Sequence, residues 1–399
     1  MARTDDEAQA SRHFERVISE RQVVICVGSG GVGKTTSSAV IGLNAALSGR
    51  RVLVMTIDPA RRLANSLGIE ALGSEMQQIP LERFKELGLE PKGELWAMML
   101  DMKDSFDRLV QRHAPDAKTR DAILDNRFYH YFSTSLAGTQ EYAASERLHE
   151  LVESGEFDLI VLDTPPTTHA LDFLEAPERL VDAVSSRALQ WLYKPGVLSG
   201  RSGMGIVSLG TNYVMRTLGK FTGGELLSDL GVFLKTFSSL FEGFEERARG
   251  VIDLLKSPAT GFVVVTAPDS LTVEEALYFY EKLDRDALHV DAFIVNRVHP
   301  RWVSEEALAL PPAELATALE APPLPALDEA LDASALAALL LENASQFELR
   351  ASQDASSIAL MGDRLPKTMP ILQVPYFNRD IHSLAGLNQA RTALFATSG

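Results

Sequence analysis

Residues 28–35 read Gly-Ser-Gly-Gly-Val-Gly-Lys-Thr, and their side-chain types suit the binding of a phosphate chain. Glycine lets successive backbone N–H groups turn inward on an anion. Lys34 would bring a cation to the β- and γ-phosphates, and the Thr35 hydroxyl a hard oxygen for Mg²⁺. The run satisfies G-x-x-x-x-G-K-[ST], which needs a strand before it and a helix after it, so that the helix N-terminus adds its positive end. The candidate nucleotide-binding residues are therefore Gly28, Ser29, Gly30, Gly31, Val32, Gly33, Lys34, Thr35 and Thr36.

Two carboxylates stand where such chemistry needs them. Asp163 closes the apolar run Leu159-Ile160-Val161-Leu162. An acid at the carboxyl end of a strand is placed to hold Mg²⁺ with Thr35, partly through water. Asp58 follows the run Val52–Thr56 and precedes Pro59. On residue types alone it reads either as an Asp-Pro turn or as a group that positions or deprotonates an attacking water. The eight histidines show no ligand spacing and the single cysteine, Cys26, forms neither an internal disulfide nor an all-thiolate metal site. No protein-held metal is expected beyond the Mg²⁺ that accompanies a nucleotide.

The elements that must carry these residues are legible as short apolar runs. Val23–Val27 precedes the glycine-rich turn, and an Ala/Ser-rich stretch to Leu47 suits a helix after it. Further strand candidates are Val52–Thr56, Leu95–Leu100, Leu159–Leu162, Phe262–Thr266, Ala292–Val295 and Ile371–Val374, with helical patterns such as Val273–Leu283 between them. Continuous apolar runs mark strands covered on both faces. Their alternation with helices predicts right-handed crossovers and an α/β fold with a doubly wound, mostly parallel sheet. The chain is expected to be one domain, 1–399, carrying a helical insertion at 176–257 and an Ala/Pro-rich insertion at 301–343. Phe233, Phe237, Phe241 and Phe244 recur at helical spacing in the first of these, with Phe221 nearby. That pattern fits either internal packing or a groove for an apolar helix. Met98 and Met99 lie on a strand candidate and read as core, with Met102 just beyond.

Composition narrows the class. The 399 residues are 46% hydrophobic and 23% charged, which excludes collagen-like, disordered and disulfide-stapled chains. Lys plus Arg number 38 against 54 Asp plus Glu, a net charge of −16. This argues against nucleic acid and general attraction to anionic lipid. The first residues, MARTDDEAQASRHFER, are polar where a signal peptide is apolar, and no run reaches the length of a membrane span. A cytoplasmic location is expected.

Four segments in one order, GSGGVGKTT, TIDPARRLANSL, DTPPTTHALDFL and FIVNRV, resemble the arsenite-pump and tail-anchored-protein-targeting ATPases. Those proteins form part of the dimeric, deviant Walker-A (SIMIBI) class of P-loop NTPases. The resemblance covers roughly 20–300 and 345–395. It implies ATP and Mg²⁺ as ligands. It places Asp58 in a first switch, orienting the attacking water, and Asp163, Thr168 and His169 in a second. It makes Asn296 the residue that holds adenine, Pro375 and Phe377 part of a late loop over the base, and 176–257 the subdomain that forms a groove for a hydrophobic polypeptide client.

Three departures from that pattern matter. The resembling family normally reads GKGGVGKT, and its second Lys reaches across the dimer to the partner's phosphates; Ser29 stands there instead. Such trans cations contribute about 10³–10⁵ in kcat. The departure leaves open a homodimer, or a heterodimer with a paralogous ATPase that keeps the Lys. Arg61 and Arg62 read either as an exposed helix start or as compensating charge. The Cys-x-x-Cys clasp of the targeting ATPases is absent. One Cys cannot supply the thiolate cluster that arsenite requires, so no arsenite site is expected. A partitioning or positioning ATPase on the same loop would need a basic surface or an amphipathic C-terminal helix; the chain is acidic and its terminus GLNQARTALFATSG is short.

Overall fold

The computed structural model describes residues 5–57, 62–69, 72–127, 129, 130, 133, 139–165, 173–179, 181, 182, 241–321 and 332–395. Asp58, Arg61, Thr168, His169, Phe221, Phe233 and Phe237 lie outside the described residues, as does most of 176–257.

The strands are β1 (Val23–Gly28), β2 (Arg51–Thr56), β3 (Gln77–Gln78), β4 (Glu94–Met99), β5 (Leu159–Asp163), β6 (Thr260–Thr266), β7 (Val290–Val298) and β8 (Ile371–Pro375). They form one eight-stranded sheet in the order β3-β4-β2-β5-β1-β6-β7-β8. Every pairing is parallel except that of β3 with β4. All seven apolar runs became strands. The two-residue edge strand β3 is polar and exposed, so it carried no apolar signal.

The sheet is wound on both faces, as β1 shows. Val24 and Cys26 enter one core, with Phe14 and Ile18 of α1 (Asp5–Glu20), Val40 and Leu43 of α2 (Lys34–Leu47), and Leu387 of the helix Leu384–Leu394. Val23, Ile25 and Val27 enter the other, with Leu148, Val251, Phe279 and Met361 from the helices Thr139–Ser154, Phe241–Lys256, Ser270–Arg285 and Ala333–Arg364. Successive side chains of a strand point to opposite faces, so a strand buried in both layers must be apolar throughout. Met98 is buried in the second core, as its place on the strand implies.

The helix Phe241–Lys256, the described end of the 176–257 stretch, is fixed to Thr139–Ser154 by a buried ion pair. Arg247 Nε stands 2.6 Å from Glu146 Oε1. Burial pushes the Glu146 carboxyl above its usual range, and the nearby Arg247 charge opposes that shift.

Short helices Glu305–Leu308 and Pro312–Leu319 occupy the Ala/Pro-rich stretch. Its expected end at Asn343 is not an element boundary. The helix that begins at Ala333 runs 32 residues to Arg364, because it contains no proline and its one glycine, Gly362, lies in the last turn.

Candidate phosphate-binding site

The order of strands places β1 between β5 and β6, so the chain leaves β1 at the point where connections diverge to the two sides of the sheet. Ligands of doubly wound folds bind in the crevice at such a point. Residues 28–33 make the turn there, and α2 begins at Lys34 with Gly33 as its left-handed N-cap, φ 103°. Gly28 ends β1 at φ 149°, and a Cβ on it would overlap the Val265 carbonyl oxygen of the neighbouring strand. Only glycine meets both conditions. Gly30 and Gly31 are exposed, Val32 is buried, and Thr36 lies half-buried in the first turn of α2.

Lys34 is buried and folds back over the loop, its Nζ donating to the carbonyls of Gly28 at 2.9 Å and Ser29 at 2.8 Å. Its ammonium is thus held at the 28–29 end of the turn. The Thr35 hydroxyl donates to Asp163 Oδ2 at 2.7 Å, so the motif threonine and the β5 carboxylate meet although 128 positions separate them. Thr56, at the end of β2, donates to the same oxygen at 2.9 Å. Thr164 ties β5 to β1 by donating to the Cys26 carbonyl at 2.8 Å. Asp163 and Thr56 are almost fully buried, and a buried carboxylate requires hydrogen-bond donors. Hydroxyl and carboxylate oxygens in this arrangement fit a hard cation such as Mg²⁺. Cys26 lies beneath the loop, wholly buried, and burial pushes its thiol up to about 12.

Asn296 reaches the loop from β7. Its Nδ2 donates to the Val32 carbonyl at 2.8 Å, and its Oδ1 accepts from Arg297 N at 3.0 Å. Arg297 has φ 63°, a conformation that costs a non-glycine residue about 1–3 kcal/mol and that clusters at functional sites. Pro375 ends β8 beside Val298, and Tyr376 N donates to the Val298 carbonyl at 2.8 Å. Phe377 packs against the α2-side core. Arg62 is exposed at the start of the helix Arg62–Leu67.

The structure therefore brings Gly28–Thr36, Asp163 and Asn296 to one end of the sheet, with Pro375 and Phe377 on the flanking strand's exit. Three residues with contacts at or near this end of the sheet went unnamed as site residues in the sequence. Thr56 was legible only as the last residue of an apolar run. Glu275, on the helix Ser270–Arg285, accepts a hydrogen bond from the Ser29 hydroxyl; 246 positions separate the two and no motif joins them. Asp354 binds His299 through both the backbone N at 2.7 Å and the ring Nδ1 at 2.8 Å, and His299 stacks on Tyr376 with ring centroids 5.1 Å apart.

Comparison with known proteins agrees with this geometry. The family profile of anion-transporting ATPases matches residues 21–310. An Aquifex aeolicus protein assigned as arsenical pump-driving ATPase 1 is 23% identical over 71% of this chain and 65% of its own length, so the chain spans just under two thirds of that relative. ATPase GET3 of Podospora anserina is 24% identical over 74% of this chain and 78% of its own. ATPase get3 of Aspergillus terreus is 27% identical over 68% and 71%. With a glycine-rich turn at the divergence point of a doubly wound sheet and a profile match over most of its length, the chain belongs to the anion-transporting ATPase family and is an ATPase of that kind.

Proposed function

We propose that this ATPase binds Mg²⁺-ATP in the 28–36 turn, works as a dimer in the cytoplasm, and ties ATP binding and hydrolysis to opening and closing of the 176–257 stretch around an apolar polypeptide segment. The observation that carries the nucleotide reading is the convergence of Lys34, Thr35 and Asp163 on one turn at the carboxyl end of β1.

The roles follow from that arrangement. Backbone N–H groups of the turn and the N-terminus of α2 would hold phosphate oxygens. Lys34 would leave the Gly28 and Ser29 carbonyls and donate to the terminal phosphates, replacing neutral acceptors with charged ones. Thr35 and Asp163 would hold Mg²⁺, the Asp partly through water; the bound ion supplies positive charge against the phosphate oxygens. Asp58 would orient the attacking water, and Asn296, Pro375 and Phe377 would enclose the base. The resemblance of Asp58 and Asn296 to switch and base-contact positions supports those two assignments.

A second reading is favoured by one residue. Ser29 occupies the place of a trans lysine, so a homodimer would lack that cation in both sites. A weakly active subunit paired with a paralogous ATPase that keeps the Lys is consistent with this. The buried state of the single cysteine accords with the expectation that arsenite is not a ligand.

ATP turnover by the purified chain tests the main reading. Lys34→Ala should lower kcat by about 10²–10³, and Asp58→Asn should lower it while leaving ATP binding in place. Unchanged rates in both variants would overturn the assignment. Ser29→Lys should raise turnover of the isolated chain if the missing cation limits it; no rise would remove the argument for a lysine-bearing paralogue.

A further inference from the structure

The Ser29 hydroxyl is buried and donates to Glu275 Oε2, while the Ser29 carbonyl accepts from Lys34 Nζ at 2.8 Å. One loop residue thus separates a carboxylate from the ammonium that serves the terminal phosphates. Glu275 lies on the helix Ser270–Arg285, which follows β6 and is capped by Asp269. Its neighbour Glu274 is paired with Arg364, at 2.7 Å to both carboxylate oxygens, and Arg364 also lies 3.6 Å from Glu281. Among the described residues no cation pairs with Glu275, whose side chain is turned instead to the phosphate loop. Its charge therefore stands at the 28–29 end of the cradle, where the last phosphate of a triphosphate would be.

We propose that Glu275 is a specificity-determining residue of the nucleotide site, which sets the preference between diphosphate and triphosphate by opposing charge at the terminal phosphate position. The inference rests on the reading that residues 28–36 bind nucleotide. The Ser29–Glu275 hydrogen bond holds the carboxylate of this exposed residue against the loop. A diphosphate leaves the 28–29 end unfilled and meets the carboxylate's field weakly. A triphosphate adds charge there and meets it at close range, so the carboxylate holds down affinity for ATP relative to ADP. Glu275 is exposed, so its charge acts through a largely aqueous dielectric, in which one unit charge at about 4–6 Å is worth roughly threefold to thirtyfold in relative affinity.

Two substitutions separate charge from hydrogen bonding. Glu275→Gln keeps an acceptor for Ser29 and removes the charge; Glu275→Ala removes both. Binding of ATP and of ADP is measured by titration calorimetry at fixed Mg²⁺ and two salt concentrations, with thermal melting of each variant alongside. Both variants should raise the ratio of ATP to ADP affinity by about three- to thirtyfold, and added salt should shrink the difference from the unsubstituted chain. A ratio unchanged in Glu275→Gln, or equal changes for the two nucleotides, would overturn the proposal while leaving the nucleotide reading intact. An unsubstituted chain that binds neither nucleotide would overturn that reading, and this inference with it.

Discussion

Asn296, near the end of β7, donates to the Val32 carbonyl of the glycine-rich loop, 2.8 Å away and 264 positions earlier in the chain. Its amide lies so close to Gly33 that a Cβ there would overlap it. The loop's shape and the placement of the proposed base-holding residue are thus one packing problem.

Gly33→Ala tests that coupling. The new methyl would meet Asn296 Nδ2, and φ 103° is strained for alanine. The variant should lose about 1–3 kcal/mol of stability, read by chemical denaturation. ATP affinity should fall with it, since the displaced Asn296 no longer holds the Val32 carbonyl. A variant as stable as the parent would show that the turn is not constrained from β7.

Asp163→Asn addresses the cation. The carboxylate accepts from Thr35 and Thr56, and the amide retains an acceptor oxygen while losing the charge. Mg²⁺ dependence of nucleotide binding should weaken by about 10–100-fold, measured as the Mg²⁺ concentration at half-maximal binding. Nucleotide affinity in chelator should change far less. Equal losses with and without Mg²⁺ would assign Asp163 to loop structure alone.

Cys26 should be chemically silent in the folded protein. Burial raises its thiol to about 12, so at pH 8 only about one molecule in 10⁴ carries the reactive thiolate. The sign follows from the raised value: the thiolate fraction, and any residual labelling, rises about tenfold per pH unit until pH approaches that value. Mass spectrometry after maleimide treatment should find Cys26 unmodified in buffer and fully modified in denaturant. Rapid labelling in buffer at pH 7 would mean that the β1 region opens.

The Glu146–Arg247 pair should reveal itself by asymmetry. Glu146→Ala leaves Arg247 without its carboxylate in a buried setting and should cost about 3–5 kcal/mol. Replacing both, as Glu146→Leu with Arg247→Met, should recover most of that loss, because each buried ion carries a desolvation penalty. Equilibrium unfolding of the single and double variants reads the difference. A double variant as unstable as the single would locate the cost in packing.

The seven apolar runs, the glycine-rich turn and the α2 helix were legible in the sequence because each signal is local. A strand buried on both faces has to be apolar at every position, and a cradle of N–H groups has to be rich in glycine. Asp163 was legible for the same reason, as an acid closing an apolar run. The sequence also carried the family resemblance, through four short segments in fixed order, and the loss of the second loop lysine at Ser29. It was silent on β3, which is polar and two residues long, and on the length of the helix Ala333–Arg364, which continues through Asn343 without a break.

What the tertiary structure decided are the pairings across sequence distance. Nothing local to Thr56 says that its hydroxyl meets Asp163, or that Asn296 holds the loop at Val32. Nothing near Glu275 announces that its carboxylate comes to rest on Ser29, while its neighbour Glu274 is paired with Arg364. Those contacts depend on the order in which strands enter the sheet, since that order alone determines which strand ends and which helix faces surround the exit of β1. Residue types set what chemistry the chain can perform, and the winding of the sheet set which of those residues stand within reach of one another.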